Sequence, residues 1–141
     1  MKKTFVGFFV VFTALTISGC AKKDPLAGTW NASIPAEAAG TLSDFTYTFD
    51  APNFTSSAKF FGIQMNVKGT YTLAKDQLSL NPTEITVDET NLPAEIKPQW
   101  PQVKTAIESE SKKPSVYTLT ITGDTANLKS ANSTLTLTRK K

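Results

Sequence analysis

The 141-residue chain contains no histidine, one cysteine, at position 20, and one arginine, at position 139. Without histidine no Ser-His-Asp or Cys-His nucleophilic arrangement can be assembled, and a single thiol permits neither an intramolecular disulfide nor a Cys/His zinc cluster. The sequence also lacks a Gly-x-Ser-x-Gly elbow, a glycine-rich phosphate loop and calcium-loop spacing. Its only close acidic pairs are Asp88-Glu89 and Glu108/Glu110, which neighbour no candidate partner and read as solvated loop and helix charges. The expectation is therefore a protein without catalytic residues, cofactor or metal site. At this length the chain holds one ordinary domain rather than two.

What is present begins at the N-terminus. Met1-Lys2-Lys3 is followed by Thr4 to Ile17, an uncharged run with four Phe and three Val, and Lys22-Lys23-Asp24-Pro25 ends the apolar stretch. The run falls short of the roughly 20 residues that a spanning helix requires and has the layout of a signal peptide over residues 1–19. It closes on Ile17-Ser18-Gly19-Cys20. That tetrapeptide resembles a bacterial lipobox. The resemblance implies cleavage between Gly19 and Cys20, acylation of the Cys20 thiol, and attachment to a membrane of the bacterial cell envelope, the periplasmic face of the outer membrane where there are two. Residues 20–25 then form a lipidated tether and residues 26–141 the domain. Two or three acyl chains, at about 0.8 kcal/mol per buried methylene, hold a protein stably where one is marginal.

Cleavage changes the charge. The precursor carries 15 basic and 12 acidic residues, net +3; loss of Lys2 and Lys3 leaves 13 against 12. The cations sit at the ends, Lys22-Lys23 and Arg139-Lys140-Lys141, so that residues 24–138 hold 8 basic against 12 acidic residues. An acidic body offers no nucleic-acid surface. The expected partner is the membrane, through Cys20, with headgroup contact beside the anchor, and the domain itself is expected to be monomeric.

Downstream the pattern has period two, the sign of strands with one buried face. Trp30, Ala32 and Ile34 alternate with polar residues, as do Phe45, Tyr47 and Phe49; Phe54, Ala58 and Phe60 share a face of a weaker strand that Gly62 ends. From Ile63 to Leu73 every odd position but Gly69 is apolar, and a glycine there suggests a bulge. Two short strands are expected around Leu78–Leu80 and Glu84–Val87, separated by Asn81-Pro82, then strands through Tyr117–Ile121, Ala126–Lys129 and Leu135–Arg139. Eight or nine short strands joined by tight turns predict an all-β, antiparallel up-and-down barrel.

Between Asp88 and Pro114 the period changes. Trp100, Val103 and Ile107 recur at helical spacing, Pro101 suits a first turn and Pro114 ends the run, which predicts one amphipathic helix inserted between strands. It is expected over one mouth of the barrel, Trp100 and Ile107 pointing down, as a lid over a ligand entrance or a plug that completes the core.

Leu26-Ala27-Gly28-Thr29-Trp30 resembles the Gly-x-Trp signature of lipocalin-like proteins, and Gly69-Thr70-Tyr71-Thr72-Leu73 with Leu78-Ser79-Leu80 is similar to a hairpin of small bacterial lipocalin-like lipoproteins. The resemblance implies a lipocalin-like barrel whose closed end is completed by Trp30 with a late arginine across its ring, here Arg139. Two functions follow: a packed barrel serving as an interaction or structural module or, alternatively, a barrel that binds a small apolar ligand or lipid. A continuous apolar cavity of about 300 Å³ or more favours the second.

Overall fold

Alternation of apolar and polar residues becomes eight antiparallel strands in the computed structural model, which describes residues 23–141. They are β1 (Gly28–Ala32), β2 (Leu42–Asp50), β3 (Asn53–Phe60), β4 (Ile63–Ala74), β5 (Gln77–Val87), β6 (Ser115–Thr122), β7 (Thr125–Lys129) and β8 (Thr134–Arg139). Each pairs with the next and β8 pairs with β1, so the sheet closes into an up-and-down barrel with no free edge. One helix, α1 (Trp100–Ser111), lies between β5 and β6 with Pro101 in its first turn.

The strand count corrects one expectation. The segments around Leu78–Leu80 and Glu84–Val87 are a single strand, β5, paired to β4 along its whole length. The register slips between Lys68 and Gly69, where Gly69 faces Pro82 while Lys68 faces Glu84. The extra residue changes parity: Leu78 and Leu80 pair with Leu73 and Tyr71 on the inner face, and beyond the bulge it is Ile85 and Val87 that pair with Val67 and Met65. An even-numbered inner face followed by an odd-numbered one reads as two strands.

Gly69 is required at that bulge. A Cβ built on it stands 2.2 Å from the Asn81 carbonyl oxygen and 2.7 Å from Pro82 Cα, both backbone atoms that cannot rotate away. Gly69→Val should therefore force β4 and β5 apart and destabilise the domain by about 2–4 kcal/mol, at or above the usual cost of overpacking. Chemical denaturation checks this; a loss below about 1 kcal/mol would mean that the bulge yields freely.

A second bulge lies in β2, between Ser43 and Thr46, with Asp44 at φ 52°. It brings Leu42 and Phe45, three residues apart, onto the same wall.

The two ends of the barrel differ in what they carry. Residues 24–28, the C-terminal residues and the tight turns after β2, β4 and β6 lie at one end; the longer β1–β2 and β5–β6 connections, α1 included, lie at the other. The core cluster includes Leu26, Trp30, Phe49, Leu78, Ala126, Leu128 and Leu137, all nearly or fully inaccessible, whereas Phe45, Val67 and Tyr117 are only half-buried. The barrel is thus densely packed at the end where residues 24–28 and the C-terminal residues lie, called here the closed end, and less completely filled towards the other, although Ile63 there is also fully buried.

Candidate functional site

Trp30 is the keystone of the closed end. It is fully buried, its indole N–H donates to the Leu26 carbonyl at 2.8 Å, and its direct partner across the β1–β8 ladder is Arg139. Direct partners share a face, so the guanidinium lies over the indole with its carbon 4.1 Å from the ring centroid. The same guanidinium donates to the Ala27 carbonyl at 2.7 Å and to the Pro25 carbonyl at 2.9 Å, and it faces the Asp124 carboxylate at 3.8 Å. Gly28, at φ 115°, permits this approach, since a Cβ there would stand 3.2 Å from Arg139 Nη1.

Asp24 and Pro25, expected within the tether, are bound to the barrel. The Asp24 carboxylate accepts from the Leu26 amide at 2.8 Å and from the Tyr71 hydroxyl. Burial, then Asp24, pushes the Tyr71 hydroxyl well above the usual tyrosine range, so it remains a donor at every physiological pH. No sequence motif announced this pair, because the two residues stand 47 positions apart. Gly19 and Cys20 lie outside the described residues.

Towards the open end the barrel forms a half-open cavity of about 220 Å³. Phe45 and Tyr47 of β2, Phe54 and Ala58 of β3, Met65 and Val67 of β4, Leu80 of β5 and Tyr117 of β6 form an apolar wall, joined by the small polar residues Ser56 and Ser115. Phe45 and Tyr47 stand 5.1 Å apart, and Tyr47 stacks on Phe49 at 5.8 Å, so one side of the cavity is a continuous aromatic surface resting on the packed core. Burial raises the Tyr47 hydroxyl far above its ordinary pKa, with the neighbouring Tyr117 adding to the effect. Tyr47 is therefore a neutral polar point in the wall. Ser56 was passed over at the sequence level, although it shares the parity of Phe54 and Ala58 on β3.

The helix meets this cavity by a different route from the one expected. Glu110, Ser111 and Lys113, at the C-terminal end of α1, reach the cavity, whereas Trp100, Val103 and Ile107 do not line it. The path of the chain explains this: β6 begins at Ser115, so the last turn of α1 must come to the mouth while its first turn stands off. Trp100 is buried outside the main core cluster, Val103 and Ile107 are half-buried, and among the strands α1 packs principally against β5. Lys104 bonds to Glu89 and ties the helix to the preceding loop. Lys104, with the nearby Trp100 indole as a lesser influence, holds the Glu89 carboxyl below its ordinary range, although the indole N–H has no partner in good hydrogen-bond geometry. At the rim Lys113 pairs with Glu110 at 2.5 Å.

Chemically the site can receive an apolar group. Among the described residues no group of three or more His, Cys, Asp or Glu is placed to hold a metal ion.

No protein-family model matches the sequence, and no curated protein does. The fold does have counterparts among solved structures. A lipocalin-like protein from Bacteroides uniformis ATCC 8492 superposes with a TM-score of 0.51 at 15% identity, covering 82% of this chain and 98% of its own. An uncharacterized protein from Bacteroides eggerthii DSM 20697 superposes with a TM-score of 0.50 at 11% identity, covering 82% of this chain and 99% of its own. At such identities the likeness is one of architecture, and the architecture is the lipocalin-like barrel: eight antiparallel strands, closed, with one helix between β5 and β6.

Proposed function

We propose that this protein is a non-catalytic binding module of the bacterial cell envelope, cleaved after Gly19, held at the membrane by acyl chains on Cys20, and taking a small apolar group into the open end of its barrel. The observation that carries the reading is the unequal filling of the barrel: solid around Trp30, hollow between Phe45, Phe54, Val67 and Tyr117. A domain selected only for stability gains from filling such a space, at about 1.5–3 kcal/mol for each large apolar side chain fully buried.

The size of the cavity limits the occupant. Its volume of about 220 Å³ falls short of the roughly 300 Å³ expected above of a barrel that carries a whole small ligand, and is above the roughly 150 Å³ that admits benzene. A single ring or a short branched chain fits; a whole lipid does not. That limit also supports a second reading, an interaction module whose occupant is one apolar side chain of a partner protein.

Filling the cavity separates binding from folding. In the domain lacking residues 1–20, Ala58→Phe projects a ring into the cavity from β3. It should weaken binding of the single-ring apolar probe toluene, read by calorimetry, at least tenfold while keeping a cooperative thermal transition. Native mass spectrometry of the unsubstituted domain should show a co-purified small molecule that the variant lacks. Equal probe binding by both proteins would reject the open-end cavity as the site.

A further inference from the structure

The route of the chain from its anchor into the barrel decides which end of the barrel the membrane meets. Asp24 is bound by Tyr71 and by the Leu26 amide, and Pro25 and Ala27 are held by Arg139, so the chain enters the body at the closed end and is fastened there. Only residues 20–23 separate the acylated cysteine from the first fastened residue. Four residues span at most about 14 Å. The barrel is far longer: the twelve residues of β4, at about 3.4 Å each and tilted by about 40°, reach roughly 30 Å along its axis. With the closed end held within that reach, the mouth stands at the far end of the barrel from the anchor.

Charge acts in the same direction. Lys23 and Arg139-Lys140-Lys141, at opposite ends of the sequence, are brought to one end of the molecule because β8 pairs with β1 and the Lys140 amide continues the ladder to the Thr29 carbonyl. With Lys75 of the β4–β5 turn they make five basic residues at the closed end against four acidic ones, Asp24, Asp50, Asp76 and Asp124; the other described residues hold seven against eight. Asp124 is engaged by Arg139 and Lys141 at 3.8 and 3.9 Å, and Asp24 by Tyr71. The end with the short leash is the one that anionic headgroups attract, and the remainder of the body is not drawn to them.

We infer that the closed end is a membrane-facing surface, seated on the anionic headgroups of the leaflet that holds the Cys20 acyl chains, and that the cavity mouth opens away from that bilayer into the aqueous compartment. The inference rests on the acylation of Cys20 proposed above and not on the cavity being occupied. If the cavity is filled, its ligand arrives from the aqueous side, as a solute or as a group presented there, rather than as a chain drawn from the leaflet beneath.

The test uses the full mature lipoprotein in vesicles of phosphatidylethanolamine and phosphatidylglycerol carrying a headgroup-attached nitroxide quencher. With the native thiol acylated, one added cysteine can be labelled with a fluorescent maleimide: Ala51→Cys in the exposed β2–β3 turn of the closed end, or Ala131→Cys in the exposed β7–β8 turn of the open end. Quenching should be about fivefold or more stronger at position 51 than at 131, given a separation approaching the barrel length. Equal quenching, or stronger quenching at 131, in protein that floats with the vesicles overturns the orientation alone. Failure to float overturns the acylation of Cys20 and the orientation with it.

Discussion

Cys20→Ala should abolish incorporation of an alkyne-tagged fatty acid into the protein and leave the precursor uncleaved, with residues 1–19 still attached in the intact mass. The chemistry allows no intermediate result. The acceptor in the lipobox reading is the thiol itself, and this chain has no second cysteine to take its place. Alanine conserves the small size of the site but has no nucleophilic atom, and cleavage in such a precursor follows acylation. Membrane attachment should fall with it, because two or three acyl chains at about 0.8 kcal/mol per buried methylene are replaced by an apolar leader with no covalent anchor. Continued fatty-acid labelling of the variant would remove the basis for the proposed envelope location. It would also dissolve the orientation argument, which needs the anchor within four residues of Asp24.

Trp30→Ala should cost the domain about 3–5 kcal/mol, the usual range for removing a fully buried large aromatic side chain. Three losses coincide at this position. The deleted indole leaves a void among residues that are themselves inaccessible, including Leu26 and Leu137. The Leu26 carbonyl loses the N–H that reaches it at 2.8 Å. The Arg139 guanidinium, 4.1 Å from the ring centroid, loses a cation–π contact of about 0.5–2 kcal/mol. Small domains are stable by about 5–15 kcal/mol, so the change consumes a large part of the total and should lower the thermal midpoint by roughly 10–20 °C. Trp30→Phe keeps most of the volume and the aromatic face and should cost less than half as much. A Trp30→Ala variant within about 1 kcal/mol of the parent would show that the closed end repacks around the loss and that Trp30 is not its keystone.

These expectations draw on sequence and tertiary structure unequally. Period-two alternation made most of the strands legible, because an antiparallel strand with one face on a core and one in water must alternate. The Gly69 irregularity was legible as well, since a glycine amid odd-numbered apolar residues has no packing purpose of its own. The joining of Leu78–Leu80 to Glu84–Val87 was not. A bulge moves the inner face from even to odd positions, and a pattern read at constant parity breaks there. The helix was legible from its spacing and prolines, but not which of its turns meets the cavity, because that depends on where β5 leaves the sheet and β6 re-enters it.

By itself the sequence determined the barrel class and the inserted helix, and it is the whole ground for proposing Cys20 as an anchor site, since each rests on local residue types, spacing or the lack of any competing residue. The resemblance offered Arg139 as the residue across Trp30, and the structure places it there; only the tertiary structure decided that Asp24 meets Tyr71, that the barrel is more densely packed at one end than at the other, and that Lys23 and the basic C-terminal residues share the densely packed end. The reason is closure. Pairing β8 with β1 brings residues more than a hundred positions apart into register, and two bulges decide which side chains point inward. Closure leaves no mark on any short stretch of sequence, and of the two bulges only the one at Gly69 does.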